Sequence, residues 1–263
     1  MTTEFDLLQY NAQAWDLQAK TNSPWSQPVS NEQIAAACQG QWEIFITPTP
    51  LAKTWLGNIS GKRILCLASA GGQQAPVLAA AGAKVTVFDL STEQLAKDAM
   101  VAAQNQLDLT IIQGDMRDLS MFNDANFDLI IHPVSNQYVP NVQPVWQECF
   151  RVLSHGGVLL SSFYNPAVFI ADRDPRYATQ GLIKPKFKIP YSDLTDLDPV
   201  SLTAKTSKQE AMIFGHSLAE QIDGQLQAGF VLANYHEEMQ PHPRFEIEKY
   251  LPSFIATRSL KLA

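Results

Sequence analysis

The stretch ILCLASAGGQQAP, residues 64–76, constrains the fold of this chain more than any other. An apolar, strand-forming run ends in Ala68, Ser69, Ala70, Gly71 and Gly72, and helical spacing resumes at once. A strand that turns directly into a helix has no room for a hairpin, so its next strand must run parallel to it. The pattern then repeats. GGQQAPVLAAAG reads as a helix with Gly82 as its C-terminal stop, KVTVFDL as a strand, and STEQLAKDAMVAAQNQ as a helix opened by a Ser91–Gln94 capping box. LTIIQGD, FDLIIHPV and HGGVLLSSF supply the third, fourth and fifth strands, with a helix over VQPVWQECFRVL. These alternations predict an α/β fold, a parallel sheet with helices on both faces.

Around this core the texture differs. Residues 1–60 are polar and aromatic, interrupted by NSPWSQP and TPTP, and read as a cap of short helices and loops. Residues 166–214 break the rhythm with DRDPRY, KFKIPYSDLTDLDP and QEAMIF, an insertion of loops and short strands. The alternation resumes with SLAEQIDGQLQAGF as a helix and FVLANYHEE and SFIATRSLKL as strands, so the core spans residues 61–165 and 215–263. Within the insertion, the alternating lysines of KPKFK read as one solvated strand face.

Small residues between a strand and a helix either let a ligand approach the backbone, beside free amides and a positive dipole end, or serve a tight connection sterically. Asp89 bears on the choice. It ends the second strand about twenty residues past the turn, where dinucleotide folds place an acid on ribose hydroxyls. The alternative, that Asp89 only precedes the Ser91 cap, is the weaker reading beside such a turn. In GDMRDL, Asp115 either accepts from an adenine amine, with Met116 packed on the ring, or merely terminates its strand.

Together ILCLASAGG, VFDLS, GDMRDL and FDLIIHPVSN…RVLSHGGVLL resemble the successive motifs of class I S-adenosylmethionine-dependent methyltransferases. The resemblance is close over residues 62–163, and AGFVLANYHEE with FIATRSL is similar to the antiparallel sixth and seventh strands that close that fold. It implies a Rossmann-like, doubly wound, seven-stranded, mostly parallel sheet with an antiparallel last strand, an N-terminal helical lid and an insertion after strand 5. It also implies S-adenosylmethionine as cofactor, S-adenosylhomocysteine as product, and a small-molecule acceptor. The cofactor-binding set implied is Ala68, Ser69, Ala70, Gly71, Gly72, Gln74, Asp89, Leu90, Asp115, Met116 and His132, with Tyr10 and Trp15 from the lid or, equally, only packing. The chain departs from the family where an acid and spaced glycines are usual: those positions hold Cys66, Ala68, Ala70 and Gly72. The Ala68 carbonyl replaces what the family uses at its first glycine, and Ser69 and Gln74 are the polar candidates near the methionine ammonium.

Methyl transfer needs an in-line nucleophile and excluded water more than covalent help, with a base only for a protonated nucleophile. His132, at the end of the fourth strand, either lines the pocket or bonds a turn. His216, at a helix start, either faces the same pocket or lies on the surface. Both are the candidate catalytic residues. Asn136, Tyr138 and Tyr191 are the candidate acceptor contacts, with acceptor identity carried by the insertion.

The remaining composition narrows partners. A net charge of −7 and no basic run beyond KPKFK argue against nucleic acid. Three scattered cysteines fit neither a disulfide framework nor a zinc site, no segment is apolar enough to cross a bilayer, and no metal is expected, so a cytoplasmic monomer or homodimer is expected. Two other functions account for less. A nicotinamide-dependent oxidoreductase explains the turn and Asp89 but not GDMRDL, and a non-catalytic S-adenosylmethionine-binding protein is motivated only by the missing acid at Cys66.

Overall fold

The computed structural model describes residues 6–262, so the first five residues of the predicted cap lie outside the described residues. Seven strands form the central sheet: β1 (Arg63–Leu67), β2 (Lys84–Asp89), β3 (Leu109–Gln113), β4 (Phe127–His132), β5 (Leu153–Tyr164), β8 (Val231–Glu238) and β9 (Phe254–Leu260). The intervening β6 (Tyr191–Ser192) and β7 (Phe214–Gly215) make a separate two-stranded ribbon. The order is β3-β2-β1-β4-β5-β9-β8; β9 alone runs against the others, antiparallel to both β5 and β8. The seven-stranded sheet with a reversed last strand is the architecture expected.

Alternation along β1 shows why the sheet is covered on both sides. Ile64 and Cys66 enter one apolar cluster, with residues such as Ile34, Leu78 and Val101, while Leu65 and Leu67 enter the other, with Phe88, Trp146 and Leu159. A parallel strand buried on both faces reads as a continuous apolar run, which is how RILCL reads. The first cluster is covered by α2 (Asn31–Cys38), α4 (Gln74–Ala80) and α5 (Thr92–Asn105), the second by α6 (Gln143–Val152) and α10 (Gly224–Gln227).

The cap holds α1 (Leu7–Lys20), α2 and the single turn α3 (Lys53–Leu56). Asp16 on α1 accepts from Ser91 Oγ at 2.6 Å and from Glu93 N–H at 3.1 Å, so a carboxylate from the cap completes the N-terminus of α5. The insertion is more helical than expected, with α7 (Pro175–Ala178), α8 (Asp193–Asp196) and α9 (Pro199–Ser207). Each starts on an Asp or Ser that accepts from its own first turn, and Pro175 and Pro199 occupy opening positions. KPKFK forms no strand; a single bridge pairs Pro185 with Ala171. The helix expected over SLAEQIDGQLQAGF is shorter, a π-helical turn at Ala219–Asp223 running into α10. Among the described residues no helix is long and apolar enough to cross a membrane.

Candidate active site

The carboxyl ends of β1, β2, β3 and β4 open into one cavity of about 1250 Å³, roofed by α1 and the segment after it and flanked by the insertion. Ligand pockets usually hold about 300–1,000 Å³, so this volume has room for a cofactor and a second small molecule together. Among the expected residues, Ala68, Ser69, Ala70, Gln74, Asp89, Leu90, Asp115, Met116, Trp15 and Tyr138 line it.

The turn is braced differently from expectation. Gly71 N–H donates to Gln94 Oε1 at 2.9 Å and Gly72 N–H to Asp98 Oδ1 at 2.8 Å, both from α5. These amides are not free for a ligand, and neither glycine lines the cavity. Ser91 does accept from Gln94 N–H at 3.2 Å, but the Gln94 side chain reaches across to the turn and to Ser26 Oγ instead of closing a capping box. The reciprocal box sits instead at α2, between Ser30 and Gln33. The two glycines answer to packing. A Cβ on Gly71 would stand 2.0 Å from the Gln94 carbonyl oxygen; one on Gly72, at φ +74°, would stand 2.9 Å from Pro28 of the cap. By contrast Ala68 and Ala70 hold φ values of +47° and +60°, a left-handed conformation that strains an alanine, and both residues line the cavity.

Asp98 was not read from the sequence as a site residue. It is fully enclosed, its Oδ2 is buried without a partner, and burial pushes its carboxyl up to about 8. Burial raises the Cys66 thiol and the neighbouring Asp98 adds to the shift, so an acid from α5 stands near the strand position the family usually fills with one. No signal in α5 marks it, because Asp98 reads as one polar position of an amphipathic helix.

Asp89 accepts from Ser91 N–H at 2.9 Å and faces the cavity; burial first, and then the nearby Asp16 charge, push its carboxyl up to about 6. The Asp115 oxygens both accept from Arg117, the closest contact 2.5 Å, beside Met116 on the cavity wall. Trp15 meets Tyr138 edge-on at 5.1 Å across the roof.

Several expectations are corrected. None of the five histidines lines the cavity. His132 is wholly enclosed, with Nδ1 3.0 Å from the Leu67 carbonyl and Nε2 2.6 Å from Asn136 Oδ1, and burial lowers its basicity. Nε2 of His216 donates to the Asn136 and Val139 carbonyls at 3.0 and 2.9 Å, bracing a turn. Both His132 nitrogens and Nε2 of His216 are thus engaged within the protein, away from the cavity wall. Asn136 is likewise enclosed, donating to Gln221 Oε1 at 2.8 Å. Tyr191 is buried with its hydroxyl on Asp193 at 2.6 Å, and Tyr10 donates to the Glu210 carbonyl at 3.0 Å, tying α1 to the insertion. Neither tyrosine lines the cavity. Asn11, not singled out in the sequence, does: its amide spans the Tyr138 carbonyl and both backbone groups of Met212.

Comparison with known proteins agrees with this geometry. The family model described as a methyltransferase domain matches residues 65–161. A Bacillus subtilis protein described as uncharacterized methyltransferase YbaJ is 44% identical over 257 residues, 97% of this chain and 99% of that protein. The ubiquinone biosynthesis O-methyltransferase of Haemophilus ducreyi is 30% identical over 168 residues, 59% of this chain and 71% of its own. Among solved structures, an S-adenosylmethionine-dependent methyltransferase from Mesorhizobium loti shares the fold, with a TM-score of 0.60 at 19% identity over 79% of this chain and 94% of that one.

Proposed function

This chain belongs to the class I methyltransferases, and from that premise we propose that it moves a methyl group from S-adenosylmethionine to a small-molecule acceptor by in-line displacement. The observation that carries the reading is one cavity of about 1250 Å³ that Asp89 and the strained Ala68 and Ala70 line together. The residues present fit the cofactor: a buried carboxylate for ribose hydroxyls, Leu90 and Met116 as apolar faces for adenine, and an open small-residue backbone for the methionine end. When bound, S-adenosylmethionine supplies a sulfonium methyl, which the acceptor's electron pair takes while the C–S pair stays on sulfur.

The chain's own share is positioning and exclusion of water. Trp15 and Asn11 close the roof, and Tyr138 stands between roof and β4. With no histidine on the wall, the reading favours an acceptor that reaches the cavity already nucleophilic. The roof supports a small acceptor over a macromolecule, as does the net charge of −7. Three unpaired cysteines support a reducing, cytoplasmic setting. A nicotinamide cofactor is disfavoured because its pyrophosphate would sit against alanine at positions 68 and 70 and find the Gly71 and Gly72 amides occupied.

Incubation with methyl-labelled S-adenosylmethionine and a fractionated cell extract tests the proposal. Label is expected in the small-molecule fraction. Label confined to protein or nucleic acid contradicts the small acceptor, and cofactor binding with no transfer in any fraction favours a non-catalytic binder.

A further inference from the structure

The far wall of the cavity, away from the small-residue turn, carries three cations: Lys205, Arg244 and Arg173. Two are neutralised by the protein. Lys205 pairs with the buried Asp193 at 2.9 Å; Arg244 pairs with the buried Glu248 at 3.3 Å and donates to the Tyr164 hydroxyl at 2.9 Å. Arg173 is not. Among the described residues it makes no hydrogen bond and no ion pair, and its Nε is buried without a partner. The acids nearest in sequence are committed elsewhere, Asp172 to Lys184 and Lys186 and Asp174 to Arg176.

What holds the guanidinium is aromatic. The rings of Phe169, Tyr191 and Phe245 lie 5.8, 5.5 and 5.4 Å from its Cζ. Such contacts position a cation but accept no conventional hydrogen bond from it, and a guanidinium held this way is left with its planar donor fork unspent. That fork matches the two oxygens of a carboxylate or phosphate.

We propose that Arg173 receives the acidic group of the methyl acceptor, which is therefore a small, largely apolar molecule bearing a carboxylate or a phosphate. The inference rests on reading this cavity as the acceptor side of a methyltransferase. It gives the insertion a chemical purpose: the DRDPRY segment delivers one uncompensated charge to a wall otherwise built from rings and closed ion pairs.

Ligand-observed NMR on the full-length protein tests it, with benzoate and phenyl phosphate as acidic probes and benzamide as the neutral counterpart, with and without S-adenosylhomocysteine. At least one acid is expected to bind about ten-fold or more tighter than benzamide, and the stronger acid identifies carboxylate or phosphate. Arg173→Met should bring that acid down to the benzamide level, Arg173→Lys should retain part of the preference, and affinity for S-adenosylhomocysteine should stay unchanged. If Arg173→Met does not fold, Arg173→Gln, which keeps polar length without charge, serves in its place. Equal binding of acid and amide, no binding of either acid at millimolar concentration, or an acid preference that survives loss of the charge overturns the proposal. Failure of S-adenosylhomocysteine to bind would instead count against the methyltransferase reading, and the acid preference, measured without it, would still decide the role of Arg173.

Discussion

At the scale of single residues, the turn after β1 shows how a lost acid and lost glycines can be accommodated. Asp98 holds the Gly72 amide from α5, in an enclosed site that keeps its carboxyl protonated up to about pH 8. Unfolded, the same group ionises near 3.8, so between these values the native state binds more proton than the unfolded state. Its contribution to stability is full below about pH 4 and shrinks as pH rises towards 8. Asp98→Asn keeps an acceptor for Gly72 and removes the titration, so its melting temperature should rise relative to the parent between mildly acidic and alkaline buffer, a gain on the order of a few kcal/mol. Parallel pH profiles for the two proteins would exclude this role. Ala70, at φ +60°, gives a second check. Glycine there relieves backbone strain of roughly 1–2 kcal/mol and returns about 0.4–1 kcal/mol to the unfolded chain, so Ala70→Gly should be mildly stabilising in urea denaturation. The sequence displayed Asp89 because it ends a strand, but it hid Asp98, whose partner is twenty-six positions away in the chain and meets it only after α5 docks.

At the scale of elements, the roof is tied to the rest of the fold at several points. Asn11 ties α1 to the Tyr138 carbonyl and to Met212, and Asp16 ties it to the start of α5. Asn11→Ala strands the Met212 amide in a buried place and should cost about 1–3 kcal/mol, with faster release of S-adenosylhomocysteine in stopped-flow tryptophan fluorescence. An unchanged release rate would mean that α1 does not gate the cavity. The strand and helix alternation of the core was legible because each element carries its own period, and β1 to β5 lie where RILCLA, KVTVFDL, LTIIQGD, FDLIIHPV and HGGVLLSSF place them. The insertion was not. Its helices α7, α8 and α9 run only four to nine residues, too short for periodicity to separate them from loops. His132 differs for a related reason: it does end β4, but one partner that encloses it is the Leu67 carbonyl, sixty-five positions away, which the local sequence does not reveal.

At the scale of the whole molecule, a buried polar chain holds the two halves together. It runs from His132 through Asn136 and Gln221 to Gln225, whose Oε1 accepts from Thr257 at 3.2 Å and Ser259 at 2.7 Å on β9. The reversed last strand is thus pinned to the edge of the parallel sheet, and Gln225→Ala should destabilise the protein by about 1–3 kcal/mol while leaving cofactor affinity unchanged once folded. On the same carboxyl side of the sheet, the end of β2 presents Asp89 to the cavity. Its carboxyl, pushed up to about 6, must be ionised to accept from ribose hydroxyls, so affinity should be level above that pH and fall by about ten-fold per unit below it. The most direct test of the central claim is calorimetric titration of the parent and Asp89→Ala with S-adenosylhomocysteine at neutral pH, with NADH as control. Micromolar binding by the parent, a loss of about 1–3 kcal/mol in the variant and no heat from NADH are predicted. Binding of NADH alone, or an Asp89→Ala affinity equal to the parent's, would contradict the account.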